Sequence, residues 1–138
     1  MLPVNCGSHA DYQHFVVTNF RKYYPDPDAL ARSTWDIIER FWNLDLSFTD
    51  TFMADKYSKF GPTPRTPSCM QRSYLLSIDF KVTSLTEWAA QLKMNPLYAI
   101  LSGFDPGNTP GVGTFYDFIN RLWNSDYTQF FLKEALIL

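Results

Sequence analysis

Ser84-Leu-Thr-Glu-Trp-Ala-Ala-Gln-Leu-Lys-Met-Asn-Pro-Leu-Tyr-Ala-Ile-Leu-Ser-Gly-Phe104, continued by Pro110-Gly-Val-Gly-Thr-Phe-Tyr-Asp-Phe-Ile-Asn-Arg-Leu-Trp-Asn124, decides the fold. It reads as three helices joined by tight connections marked with Gly and Pro, the layout of a helix-turn-helix-like unit. Ser84 and Glu87 form a capping box, each side chain able to satisfy an orphan amide. Leu85, Trp88, Ala89 and Leu92 follow at i, i+3, i+4 and i+7. Asn95-Pro96 ends this helix and starts a short one that closes at Gly103, a C′ glycine. The third helix, expected over 114–124, repeats the apolar spacing with Phe115, Phe118, Ile119 and Leu122. Its other side carries Thr114, Asp117, Asn120, Arg121 and Asn124, groups able to bond outside the protein.

Helical period also dominates upstream. Over 8–24, Ser8 can cap, and Tyr12, Phe15, Val16, Phe20 and Tyr23 share one side. Pro25 stops that helix, since the residue before proline avoids the α region. Asp26-Pro27 restarts the chain as N-cap and N1, and a second helix is expected over 27–45. Its stripes, Ala31/Trp35/Ile38/Trp42 and Leu30/Ile37/Phe41/Leu44, span a sector wide enough for two packing partners. Ser47 and Asp50 offer caps for a third helix running to about Phe60. The cluster Gly61-Pro-Thr-Pro-Arg-Thr-Pro67 is an extended connection. A fourth helix over 67–80, apolar nearly all round at Tyr74, Leu75, Leu76, Ile78 and Phe80, is expected at the centre. Ser125-Asp126 caps a last apolar segment ending at Leu138. The expected architecture is therefore all-α: one domain over 1–138, a compact bundle of about seven helices with a helix-turn-helix-like C-terminal half.

Composition bounds the function. The 138 residues are 46% hydrophobic, 17% aromatic and 19% charged, a chain with enough apolar surface to bury a core. The formal net charge is −2, which works against autonomous tight DNA binding, because phosphate neutralisation supplies most non-specific affinity. Lys59, Arg65, Arg72, Lys81 and Lys93 nevertheless make the middle of the chain basic. No apolar run reaches the length of a membrane span. No signal peptide precedes the first helix, and Cys6 and Cys69 fit a reducing compartment, so a cytoplasmic location is expected.

Little in the chain resembles catalytic machinery. Cys6, His9 and His14 have irregular spacing for zinc, with only Cys69 as a fourth ligand, and read as ordinary residues. Asp36/Arg40 and Asp117/Arg121 stand at i, i+4 as surface pairs. The loop Gly107-Asn-Thr-Pro-Gly-Val-Gly113 lacks the Gly-Lys-Ser/Thr ending of a phosphate loop and reads as a turn former. No catalytic residue, metal ligand or cofactor is assigned.

The stretch Phe60-Gly61, Pro67, Met70-Gln-Arg-Ser-Tyr-Leu-Leu76, Leu85-Thr-Glu-Trp88, Asn95-Pro-Leu97, Leu101-Ser-Gly-Phe104, Pro110-Gly-Val-Gly-Thr-Phe-Tyr-Asp-Phe118 and Arg121-Leu122 resembles the N-terminal helical region of bacterial insertion-sequence transposases of the DDE, RNase H-like class. The resemblance covers about residues 55–124. It implies a domain that recognises the terminal inverted repeats of a DNA element and helps to assemble protomers. The family's catalytic Asp, Asp and Glu, and the Mg²⁺ they hold, lie in a core that no acid of residues 1–138 matches. The chain is therefore expected to be a non-enzymatic, truncated or isolated N-terminal domain. Its expected partners are DNA and either the catalytic core or a second protomer. By position in the motif, Thr114, Tyr116, Asn120 and Arg121 are the expected DNA contacts, with Lys81 and Lys93 as phosphate anchors and Arg72 a weaker one. Gly103, Gly111 and Gly113 are expected to permit turns. The alternative is a helical interaction or dimerisation module with little DNA affinity of its own.

Overall fold

A computed structural model describes residues 8–54 and 65–123. Seven α-helices and one 3₁₀ turn make up the described residues, with no strand among them. The helices are α1 (His9–Tyr23), α2 (Arg32–Asn43), α3 (Phe48–Met53), α4 (Pro67–Asp79), α5 (Leu85–Met94), α6 (Pro96–Ser102) and α7 (Val112–Trp123). The extension of α3 to Phe60, the prolines at 62 and 64, Cys6, Lys59, Asn124 and the segment 125–138 lie outside the described residues. No described helix is long and apolar enough to cross a membrane.

Local chemistry sets three of the helix starts as the sequence predicts. Ser8 and Asp11 close a reciprocal capping box on α1. The Ser84 hydroxyl accepts from the Glu87 amide at 3.3 Å to open α5, which is half of the expected capping box; no return bond from the Glu87 side chain accompanies it. Asn95 Oδ1 accepts from the Leu97 amide at 3.1 Å to open α6, with Pro96 at the first position. Gly103 ends α6 at φ +102°, where its amide bonds back to Ala99 and Ile100.

Other expectations need correction. The second helix does not begin at Pro27. Residues Pro27–Ala29 make a single 3₁₀ turn, Leu30 and Ala31 are extended, and α2 starts at Arg32 without a side-chain cap. The expected Asp26 cap forms, on the Asp28 amide, but holds only that turn. Ser47 does not cap α3. Its amide and hydroxyl both donate to Asp45 Oδ1. Asp50 caps a different helix: it is buried and receives the amide (2.7 Å) and hydroxyl (2.9 Å) of Ser68 at the start of α4. Asp36 does not hold Arg40, which reaches across to Asp79 on α4 at 2.6 Å.

Helix α4 is central, packing against α3, α6 and α7, while α6 also receives α1 and α5. Its buried face is not the one the apolar residues mark. Met70, Leu76, Ser68, Arg72, Ser73 and Ser77 point inward, whereas Ile78 is 58% exposed and Tyr74 is exposed. Small serines permit the close approach of neighbouring helices. They also receive bonds: Trp88, fully buried on α5, donates from its indole to Ser73 Oγ at 2.9 Å. Phe80, Trp88 and Tyr98 form the aromatic centre, with ring centroids 4.4 to 6.4 Å apart.

Helix α2 lies off this centre. Ile38 and Phe41 enter the core. The carbonyl of Trp42 accepts from Gln13 Nε2 (2.9 Å) and lies 2.7 Å from His9 Nε2, fastening the end of α2 to α1. Between these points α1 and α2 enclose an open groove of about 960 Å³, lined by Val16, Phe20, Tyr24, Leu30, Trp35 and Trp42 with charged side chains at its rim. The wide apolar sector of α2 is thus only partly covered by its own chain.

Candidate nucleic-acid interface

Helix α7 starts at Val112, two residues before the expected position, so Gly113 belongs to its first turn. Phe115 and Phe118 are buried, and Ile119 and Leu122 are half-buried. This is the amphipathic division that the spacing predicts. The opposite edge is open to solvent: Thr114, Asp117, Asn120 and Arg121 are exposed, and Tyr116 is 54% exposed.

The loop before α7 is tied down from outside. Arg65 donates to the Asn108 carbonyl at 2.7 Å and to Asn108 Oδ1 at 3.0 Å, and its guanidinium lies over the Phe104 ring. Pro110 is fully buried. The glycines divide differently from expectation. Gly103 and Gly107 adopt positive φ, while Gly111 and Gly113 do not. A Cβ at Gly111 or Gly113 would meet nothing within 4 Å, so neither is required by the turn.

Lys81 has the left-handed backbone that usually belongs to glycine, at φ 60°. The cause is the way α4 ends. The Val82 amide bonds to the Ser77 carbonyl (2.9 Å) and the Lys81 amide to the Ile78 carbonyl (3.0 Å), the paired bonds of a Schellman motif. Lys81 and Tyr116 line one groove of about 500 Å³, together with Tyr74, Ile78, Ser84 and Ile119. Thr114, Asn120, Arg121 and Lys93 are not part of that lining. Lys93 is exposed in the last turn of α5, and Arg72 is buried. The expected contacts are therefore all accessible except Arg72, and two of them share a groove.

The remaining candidate chemistry is sparse. His14 is exposed and His9 is engaged by the Trp42 carbonyl. No group of three His, Cys, Asp or Glu side chains among the described residues is placed to hold a metal. Burial pushes the Cys69 thiol and the Tyr12 phenol up from their ordinary values, against the opposing charge of Arg72, so both stay protonated near neutrality. Burial likewise raises the Asp50 carboxyl, against the bonds from Ser68. The Ser47 hydroxyl and amide lower the exposed Asp45 carboxyl.

Two features escaped the sequence reading. The α1–α2 groove had a signal in the excess apolar width of α2. The burial of Arg72 was signalled by its place on the central helix, but its partners were not, because they come from α1 and α6, far off in sequence. No family model, curated protein or solved structure matches the chain.

Proposed function

We propose that the chain is the DNA-recognition domain of a transposase-like protein, binding the ends of a mobile element through the outer edge of α7. The observation that carries this reading is the division of α7. Its aromatic side is sealed in the core, while Thr114, Tyr116, Asn120 and Arg121 face solvent on a helix whose start is held by the anchored 104–111 loop. Such side chains can bond to base edges and phosphates. Lys81 beside Tyr116 and Lys93 on α5 add cations. The net charge of −2 implies modest affinity, with a salt dependence set by the few cations that meet phosphate.

The test is fluorescence anisotropy with duplexes carrying the element's terminal repeats and with scrambled duplexes. Specific binding should weaken as salt rises. Lys81→Ala and Lys93→Ala should each reduce the salt slope by about 1. Arg121→Ala should cost about 1–3 kcal/mol and relax discrimination between the duplexes. Equal affinity for both duplexes, unmoved by all three changes, overturns the reading.

The α1–α2 groove favours a second reading, a docking module that assembles with the catalytic part or with another protomer. Sedimentation with and without duplex separates the two. A dimer indifferent to DNA supports docking.

A further inference from the structure

The face of α4 that hydropathy marks for the core lies open and meets the exposed edge of α7. Tyr74 and Ile78 stand at i, i+4 on α4, and Lys81 follows where that helix ends. Tyr116 and Ile119 of α7 close the other side of the same groove, about 500 Å³ in volume. Tyr74, Ile78, Lys81 and Tyr116 are all exposed, so a ligand reaches them without rearrangement. Apolar side chains scattered singly over a surface are ordinary, whereas several lining one concavity mark a binding surface.

Charge separates this groove from the larger one between α1 and α2. Among the described residues, Lys81 alone brings charge to its lining, and no carboxylate does. Asp79, nearby in the chain, is turned to Arg40 at 2.6 Å. The α1–α2 groove is bordered by Asp28, Asp36 and Glu39 as well as by two arginines, and the acids repel a phosphate. Lys81 also occupies, at φ 60°, a C′ position where glycine would carry no steric cost. A lysine there sets a cation in the same groove as two phenol rings. These are the elements of an unpaired-base site: any base can stack on an aromatic face, and a cation takes the adjoining phosphate. A base inside a duplex is already stacked and must leave the helix to be held this way.

We propose, resting on the reading of α7 as a DNA-facing helix, that this groove holds an unpaired nucleotide from a single-stranded extension at the end of the bound duplex. Its base lies against the rings of Tyr74 and Tyr116, over Ile78, and its phosphate is taken by Lys81. Tyr116 belongs to both surfaces, so the extension continues directly from the duplex on the outer edge of α7. Stacking carries no sequence preference, so the groove adds affinity for an unpaired end and leaves discrimination to α7.

The experiment measures fluorescence anisotropy of the full chain at fixed salt with a blunt duplex, the same duplex carrying an oligothymidine tail on its 3′ or 5′ end, and free oligothymidine. A tailed duplex should bind about tenfold tighter than the blunt one. Tyr74→Ala and Tyr116→Ala should each remove most of that gain, and Tyr74→Phe and Tyr116→Phe should keep it, since the ring is what stacks. Both positions are exposed, so the substitutions leave the core untouched. A tailed duplex bound no tighter than the blunt one, or a gain that survives both alanine changes, overturns the proposal and leaves the duplex reading of α7 standing. Free oligothymidine bound through Tyr74 and Tyr116, with no affinity for blunt duplex, supports the groove and overturns the duplex reading. Binding of no probe overturns both. A dimer in sedimentation that Tyr74→Ala dissolves, with no gain from a tail, gives the groove to a second copy of the chain and overturns the proposal.

Discussion

Trp88 and Trp35 mark two regions built from the same kind of side chain to different ends. Trp88 is fully buried among Phe80 and Tyr98, with its indole N–H held by Ser73. Trp35 is 36% exposed in the α1–α2 groove, close to Phe20, with its N–H on the carbonyl of Pro27. Both helices show apolar residues at a helical period. What separates them is coverage: α5 is enclosed by α6 and α7, while α2 touches the body at its edges. An amphipathic stripe thus specifies that a face wants burial, and the rest of the chain determines how much of it is met.

The largest expected effect sharpens this contrast. Trp88→Ala should destabilise the fold by about 3–5 kcal/mol, combining lost transfer energy, a cavity and an unpaired Ser73 hydroxyl. Trp35→Ala should cost about 1 kcal/mol. Urea denaturation of the two variants checks the difference, and equal losses would show that the groove is as well packed as the centre.

Next in size is Asp50→Ala, which orphans the Ser68 amide and hydroxyl at the start of α4 and should cost about 2 kcal/mol. Asp50→Asn keeps an acceptor and a donor and separates charge from capping. Burial raises the native carboxyl above its ordinary 3.8. In the interval above that value the native state holds more protons than the unfolded chain. This contribution therefore makes stability fall as pH rises from about 3.8 through the native value. Asparagine should flatten that slope above pH 3.8, and an unchanged slope would refute the assignment.

Gly103→Ala meets both a left-handed backbone and Cys69 Sγ, so about 2 kcal/mol should be lost. Gly111→Ala has open space and an ordinary backbone and should be within about 0.5 kcal/mol of the parent. Smallest is Lys81→Gly, with the opposite sign. Relief of the left-handed conformation should add about 1 kcal/mol of stability. If Lys81 touches DNA, the same change should lower affinity. Gain of one property with loss of the other would identify the strained lysine as functional, as strained backbones at binding sites often are.

The pattern of success and failure in reading the sequence follows from distance along the chain. Ser8, Ser84, Asn95 and Gly103 act on amides or carbonyls within four residues, and their roles were legible. The buried aromatic edge of α7 was legible for the same reason, through its period. Asp50, Arg40 and Trp88 find their partners 18, 39 and 15 residues away, at Ser68, Asp79 and Ser73. Nothing local marks such choices, so Asp50 read as a cap on its own helix and Arg40 as a partner of Asp36. The inward turn of the α4 serines was hidden too. Hydropathy ranks Tyr74 and Ile78 as core candidates, whereas close helix packing favours small side chains there.

The bond between Asp50 and Ser68 has a topological consequence. It pins together the two ends of the stretch that connects α3 to α4, so their register rests on a buried clamp and not on the number of residues between. Closure entropy grows slowly with length, about 0.6 kcal/mol per doubling. Lengthening the connection between the two helices should therefore cost little stability so long as the Asp50–Ser68 clamp is intact.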